Sequence, residues 1–322
     1  KDTPAPAEGF PTVIYAHGTG GAATAAARNG LAADFASDPG AVTVTIDLPL
    51  HGSRRGESTL DPDVLVFNFA NPRAARDNFL QGSADLMTVI RWIEEATVPA
   101  AELPIDFDLS FDPARITLFA HSQGATHAQL FAPYEPSLLA LILSGAGGDL
   151  TESLLTKTRP VNIARVLPLA LLDPAADGTL VAGDRHPALA IFQMFYERVD
   201  PVNHGRAFRN EPVGDRLPHT FMTYGTGDSF STERTMQAFA RSANMPHVGP
   251  ELVDVGVGDP VPPPVTGNVT VMDLPYTVGM RQYEPDDGDD GHFVSTRTTD
   301  GRADALRFLR MALSGETPAI GQ

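Results

Sequence analysis

The chain has 322 residues, 42% of them hydrophobic, with 23 Lys and Arg against 40 Asp and Glu and a formal net charge of −17. That is enough apolar material for one large domain with insertions or for two small ones, and the acidic balance argues against a general nucleic-acid binder. The absence of cysteine excludes disulfides and thiolate metal sites, and no run of about 18 apolar residues predicts a membrane-spanning helix. Lysine occurs only at Lys1 and Lys157, so arginine carries nearly all the positive charge.

Residues 1–9 open as KDTPAPAEG, without the basic start and apolar stretch of a signal peptide. They read as a linker or the start of a mature protein, which favours a secreted or cell-surface location and a larger precursor. Segment 12-TVIYAHG-18 is an apolar run and predicts a buried strand. The glycine loop and alanine-rich helix of 19-TGGAATAAARNG-30 follow it, then a second strand in 41-AVTVTIDLP-49. Pro72 begins a long helix in which Phe79, Leu86, Ile90 and Ile93 share one face. Strands are expected at 115-RITLFA-120, 138-LLALILSG-145 and 219-HTFMTYG-225, and helices after Ser122, over 231–243 and over about 302–313. This alternation implies parallel β-α-β units with helices on both faces of one sheet.

Two regions break the rhythm. Residues 148–210 carry Leu154, Leu155, Val166, Leu167, Leu169, Leu171 and Leu172, then 189-LAIFQMFY-196. They read as short amphipathic helices inserted as a cap between two halves of a core, 10–147 and 211–322. Periodicity alone also allows ordinary core helices. Residues 256–268 are rich in Gly, Pro and Val and read as an irregular extension. The acidic run 284-EPDDGDDG-291 lacks the spacing of a calcium loop and reads as solvated.

The chemistry centres on 120-AHSQG-124. Small residues at both outer positions let a serine sit on a sharp strand-to-helix turn, where a larger side chain would strike its neighbours. The competing use is a turn whose serine merely caps the helix. A second element, 17-HGTGG-21, follows the first strand, and glycines there let backbone N–H groups converge on a developing negative charge. The N–H groups of Thr19 and Gln123 are the expected donors. The loop matches neither common phosphate-binding glycine pattern.

With these pieces and the strand-end loop 47-DLPLHGSR-54, the chain resembles the α/β-hydrolase superfamily, of the bacterial lipase and carboxylesterase type. The resemblance implies a mostly parallel central sheet, helices on both faces and an inserted helical cap. It also implies the chain order serine, acid, histidine. Ser122 is then the nucleophile, Asp228 the acid and His292 the base, with Asp200 and His247 as the rivals for the last two. His121, beside the serine in sequence, is not the expected base. His17 and His51 are expected to hold loops near the site.

The implied reaction is hydrolysis of carboxylic esters through an acyl-enzyme, without metal or organic cofactor, on a small-molecule or lipid-like ester. Leu154, Leu155, Phe192 and Phe195 are candidates for an acyl pocket, though they serve equally as cap core. Polyester depolymerase and lysophospholipase use the same triad. An inactive binding module on the same fold is the alternative of another class. Oligomeric state is not legible.

Overall fold

The structure is a computed structural model and describes residues 5–68, 70–165, 167 and 186–321. Its strands are β1 (Phe10–Ala16), β2 (Val42–Thr45), β3 (Thr97–Val98), β4 (Leu109–His121), β5 (Leu138–Ser144), β6 (His219–Gly225), β7 (Val265–Thr266), β8 (Val269–Val271), β9 (Leu274–Tyr276), β10 (Val278–Tyr283) and β11 (Ala319–Ile320). The described helices are α1 (Ala25–Arg28), α2 (Leu31–Ser37), α3 (Pro62–Phe67), α4 (Pro72–Glu95), α5 (Gln123–Phe131), α6 (Leu150–Thr156), α7 (Pro187–Tyr196), α8 (Glu233–Ser242), α9 (Val294–Arg297) and α10 (Thr299–Leu313).

The central sheet runs β10-β6-β5-β4-β1-β2, with every one of these pairs parallel. Among the described residues, only β3 joins antiparallel, against the start of β4. Alternation along the strands divides the core. Val13 and Tyr15 of β1 face one apolar cluster, with Leu31, Phe35, Phe308 and Leu309 from α2 and α10. Ile14 and Ala16 face the other, with Leu86, Ile90, Ala125 and Met236 from α4, α5 and α8. The helix face expected from sequence is the buried one: Phe79, Leu86, Ile90 and Ile93 are all at most 2% exposed. Each such burial stabilises by roughly 1.5–3 kcal/mol before the entropy of ordering is counted. Asn71 starts α4 by accepting from Ala74 N–H at 3.1 Å, with Pro72 as its first residue.

Strand β10 is absent from the sequence reading. Its Gly279, Arg281 and Gln282 interrupt any apolar run, but Arg281 pairs with Asp304 and Gln282 accepts from the N–H groups of Leu252 and Val253. These partners let polar residues enter a covered strand. Within 256–268 the structure has the short β7, paired with β11, and an isolated bridge from Val261 to Val248.

Between β5 and β6, α6 and α7 contribute to a third apolar cluster. Leu154, Ile163, Leu167, Leu189, Phe192 and Tyr196 meet Val66 of α3, Phe79 of α4 and Leu130 of α5. Val166, Leu169, Leu171 and Leu172 lie outside the described residues.

Register places the functional loops. Ala16 pairs with Ala120, His121 with Ser144, and Ser144 with Thr223. The strands therefore end together, and the loops after β1, β4, β5 and β6 open at one edge of the sheet. In parallel α/β sheets this carboxyl edge is where ligands bind.

Candidate active site

Ser122 stands between β4 and α5 with φ 57° and ψ −118°. A non-glycine residue there is strained, at a cost on the order of 1–3 kcal/mol. The turn is held from both sides. Ser122 N–H donates to the Ser144 carbonyl at 2.8 Å, and Gly124 N–H donates to the His17 carbonyl at 3.1 Å. Gly124 is required by close approach, since a Cβ there would lie 2.3 Å from the Ala16 carbonyl oxygen. Ala120 is fully buried between Ala16 and Leu143, which explains a small residue at that end of the motif. The Ser122 side chain does not cap α5, so the helix-cap use of this serine is not what the turn provides.

The glycine loop after β1 lies against the serine. A Cβ on Gly18 would stand 2.7 Å from Ser122 Cβ and 3.2 Å from its Oγ. Gln123 is the first residue of α5, so its N–H has no partner within the helix, at the positive end of the helix dipole. Thr19 N–H also finds no hydrogen-bond partner among the described residues. Side chains lock the two elements together. Thr19 Oγ1 donates to Gln123 Oε1 at 2.9 Å, and Gln123 Nε2 lies 3.1 Å from His127 Nε2. His127 Nδ1 in turn lies 3.1 Å from the Phe79 carbonyl, which assigns its proton to Nδ1.

His17 and His51 fix the same loop from beneath. His17 Nε2 accepts from Leu48 N–H at 3.1 Å, and its Nδ1 lies 2.8 Å from the Gly18 carbonyl. His51 Nε2 accepts from Gly20 N–H at 2.9 Å, with its Nδ1 2.9 Å from the Pro49 carbonyl. One donor and one acceptor on each ring is the pattern of neutral imidazole. Burial lowers the pKa of His17 to about 4 and that of His51 in the same direction.

Loops after β6 and β10 bring an acid to a histidine. His292 Nδ1 lies 2.8 Å from Asp228 Oδ2, and both side chains are buried. Asp228 Oδ1 is occupied by the N–H groups of Phe230 and Ser231, each at 2.8 Å, which aims Oδ2 at the ring. With the proton on Nδ1, the neutral imidazole carries its lone pair on Nε2. Phe230 stacks on the imidazole with centroids 4.5 Å apart. His121 lies 4.9 Å from the same ring. It is held by Ser144 Oγ at 2.8 Å, and burial first, then the neighbouring His292, pushes its pKa well below the ordinary value. Ser122 Oγ and the His292 ring share no hydrogen bond in this structure.

Sequence reasoning missed Asp290. Its Oδ1 accepts from Ser229 N–H at 3.2 Å and from His292 N–H at 3.0 Å, and its Oδ2 accepts from Ser229 Oγ. It therefore ties the acid loop to the histidine loop. Burial alone would raise its pKa, but these hydrogen bonds outweigh it and hold the carboxyl low. Asp290 falls in the acidic run that reads as solvated, and nothing in that run distinguishes it. Lys157 is a second residue that sequence reasoning misses. It lines a cavity with Ser122, Thr19, Gln123, Phe67 and Ser153. Its signal is that it is the sole lysine in the body of an arginine-using chain.

The rivals lie elsewhere. Asp200 accepts from the N–H groups of Asp149 and Leu150 at 2.8 and 2.9 Å and holds the start of α6. His247 Nε2 lies 3.1 Å from the Pro250 carbonyl. None of Leu154, Leu155, Phe192 and Phe195 lines the cavity beside Ser122. Leu154 and Phe192 are in the third apolar cluster, Leu155 packs against it, and Phe195 is half-buried. Among the described residues no group of three or more His, Cys, Asp or Glu is placed to hold a metal ion. No described helix is long and apolar enough to cross a membrane.

No family model matches the chain, and no curated protein matches it. Solved structures do. The chain is similar to acetyl xylan esterase 1 from Thermoanaerobacterium sp. JW/SL YS485, with a TM-score of 0.56 and 13% identity over 97% of this chain and 76% of that one. It is similar to an acetyl xylan esterase from Paenibacillus sp. R4, with a TM-score of 0.55 and 13% identity over 96% of this chain and 76% of that one. Prolyl oligopeptidase B from Galerina marginata gives a TM-score of 0.52 at 14% identity, over 95% of this chain but only 33% of that one. At such identities the likeness is one of fold. The chain has the α/β-hydrolase fold, with its parallel sheet flanked by helices.

Proposed function

We propose that this α/β-hydrolase-fold chain is a serine hydrolase that cleaves carboxylic esters of short acids through an acyl-enzyme at Ser122. The observation that carries the reading is convergence at one sheet edge. A strained serine with two unoccupied N–H groups beside it shares that edge with a buried Asp228–His292 pair.

In this reading Ser122 attacks the ester carbonyl while His292 Nε2 takes its proton. Asp228 holds the imidazole in the tautomer that can accept there and stabilises the imidazolium that forms. Thr19 N–H and Gln123 N–H bind the oxyanion, each donor contributing on the order of 3 kcal/mol to the transition state. His292 then protonates the leaving alcohol, and water repeats the sequence to free the acid. The Ser122–His292 contact forms when substrate binds, as such hydrogen bonds commonly tighten only in the complex.

The cavity beside Ser122 is lined by Thr19, Phe67, Leu150, Ser153 and Lys157, a mixture of polar and apolar groups. Ser153 and Lys157 in this lining favour a short acyl group over the long apolar chains of lipase or lysophospholipase substrates. The α6–α7 segment, as the cap, supplies Leu150, Ser153 and Lys157 to this cavity.

A series of p-nitrophenyl esters from acetate to palmitate, with wild type and Ser122→Ala, tests the reading. It expects turnover that falls with chain length and is lost in Ser122→Ala. No turnover of any ester, or equal turnover by the variant, overturns it.

A further inference from the structure

Lys157 follows the last residue of α6 and is more than nine-tenths buried. Its Nζ sits 4.3 Å from the centre of the Phe67 ring. Among the described residues this Nζ makes no hydrogen bond or ion pair, and Asp63 and Asp228 act on it only at longer range. An ammonium out of water needs oxygen acceptors, and an aromatic face satisfies it only in part. The amine lines the same cavity as Ser122 and the two expected oxyanion donors, so acceptors from a bound substrate can reach it. This chain otherwise relies on arginine almost throughout.

His292 is not among the residues lining this cavity. The leaving alcohol must meet His292, so the cavity holds the acyl side. We infer that Lys157 is the subsite for a carboxylate at the far end of the acyl group, which makes half-esters of short dicarboxylic acids the preferred substrates. This rests on the reading of Ser122 as the nucleophile. The bland alternative is that Lys157 only neutralises Asp63, whose buried Oδ1 has no hydrogen-bond partner.

The test compares monoethyl glutarate with its neutral counterpart ethyl valerate by pH-stat titration, in wild type, Lys157→Met and Lys157→Arg. Acetoxyacetate, with its carboxylate on the alcohol side, is the third substrate. Wild type should prefer the half-ester by about 10- to 100-fold in kcat/KM, the range of a charge-assisted hydrogen bond. Lys157→Met should erase that preference, mainly through KM, and Lys157→Arg should restore part of it. Burial lowers the Lys157 pKa to about 8 against the pull of Asp63 and Asp228, so the preference should fade as pH rises through that value. Calorimetric binding of glutarate to Ser122→Ala, with and without Lys157→Met, reads the subsite without turnover. The inference is overturned if ethyl valerate is hydrolysed without preference for the half-ester. It is overturned equally if the preference survives Lys157→Met or follows acetoxyacetate, or if glutarate binding is absent or indifferent to Lys157. Glutarate binding that depends on Lys157, with no ester turned over, would instead support the subsite and sink the proposed reaction.

Discussion

Asp228 presents one carboxylate oxygen to His292 Nδ1 at 2.8 Å while two backbone N–H groups hold the other. The carboxylate can orient the imidazole because it is itself fixed. Asp228→Asn keeps the shape but offers an amide that favours the wrong tautomer, and kcat should drop about 10⁴-fold. Asp200→Asn replaces one of the two oxygens that accept at the start of α6 with a donating amide and should lower the melting temperature far more than kcat. Side-by-side kinetics and melting curves check this, and near-normal turnover by Asp228→Asn would transfer the acid role elsewhere.

Asp290 joins Ser229 to His292 and touches neither Ser122 nor the cavity beside it. Asp290→Ala should let the histidine loop drift and reduce kcat by about 10²-fold, the scale of a small misplacement of a reacting group. KM should change little. A variant that loses stability but keeps kcat would mark Asp290 as a purely structural tie.

How much of this was legible follows from what each feature depends on. Ser122 and its turn were readable because the steric demand is local: Gly124 and Ala120 stand within two residues and meet β1 directly. His292 and Asp228 follow from the chain order that the resemblance implies, and their side chains lie 2.8 Å apart. Strand β10 was illegible because its polar residues are satisfied by distant partners such as Asp304. The role of Asp290 depends on a loop more than 60 residues away, and no local pattern carries that. The apolar residues of 148–210 gave helices without saying which face meets the cavity, since one apolar stripe serves either use.

Leu154 separates those two uses. It is buried in the third cluster, so Leu154→Ala should cost about 2–5 kcal/mol of stability through the cavity it leaves. The chain-length preference toward esters should stay as in wild type. Urea unfolding and the ester series check both halves, and a shifted chain-length optimum without loss of stability would return Leu154 to the acyl pocket.

Acid should loosen the site before it protonates the carboxylates. Burial depresses the pKa values of His17, His127 and His219 to about 4, against 6.5 for the free side chain. The unfolded chain takes up these protons first as pH falls. Their contribution is thus full above about 6.5 and is lost as pH falls toward 4, each group costing up to about 1.4 kcal/mol per pH unit. Asp63 and Asp200, whose carboxyls burial pushes up, oppose this only where carboxylates titrate. Melting temperatures across that window should decline steadily with acidification, and a flat profile would mean that these histidines are not held neutral.

The central claim is that Ser122 is the group that becomes acylated. Its most direct measurement is mass spectrometry of peptides after treatment with a p-nitrophenyl phosphonate, which leaves a stable mimic of the tetrahedral intermediate on an activated serine. The account predicts stoichiometric modification of the peptide that carries Ser122, lost in Ser122→Ala and greatly slowed in His292→Ala. An unmodified Ser122 peptide, or modification that proceeds equally without His292, would contradict it.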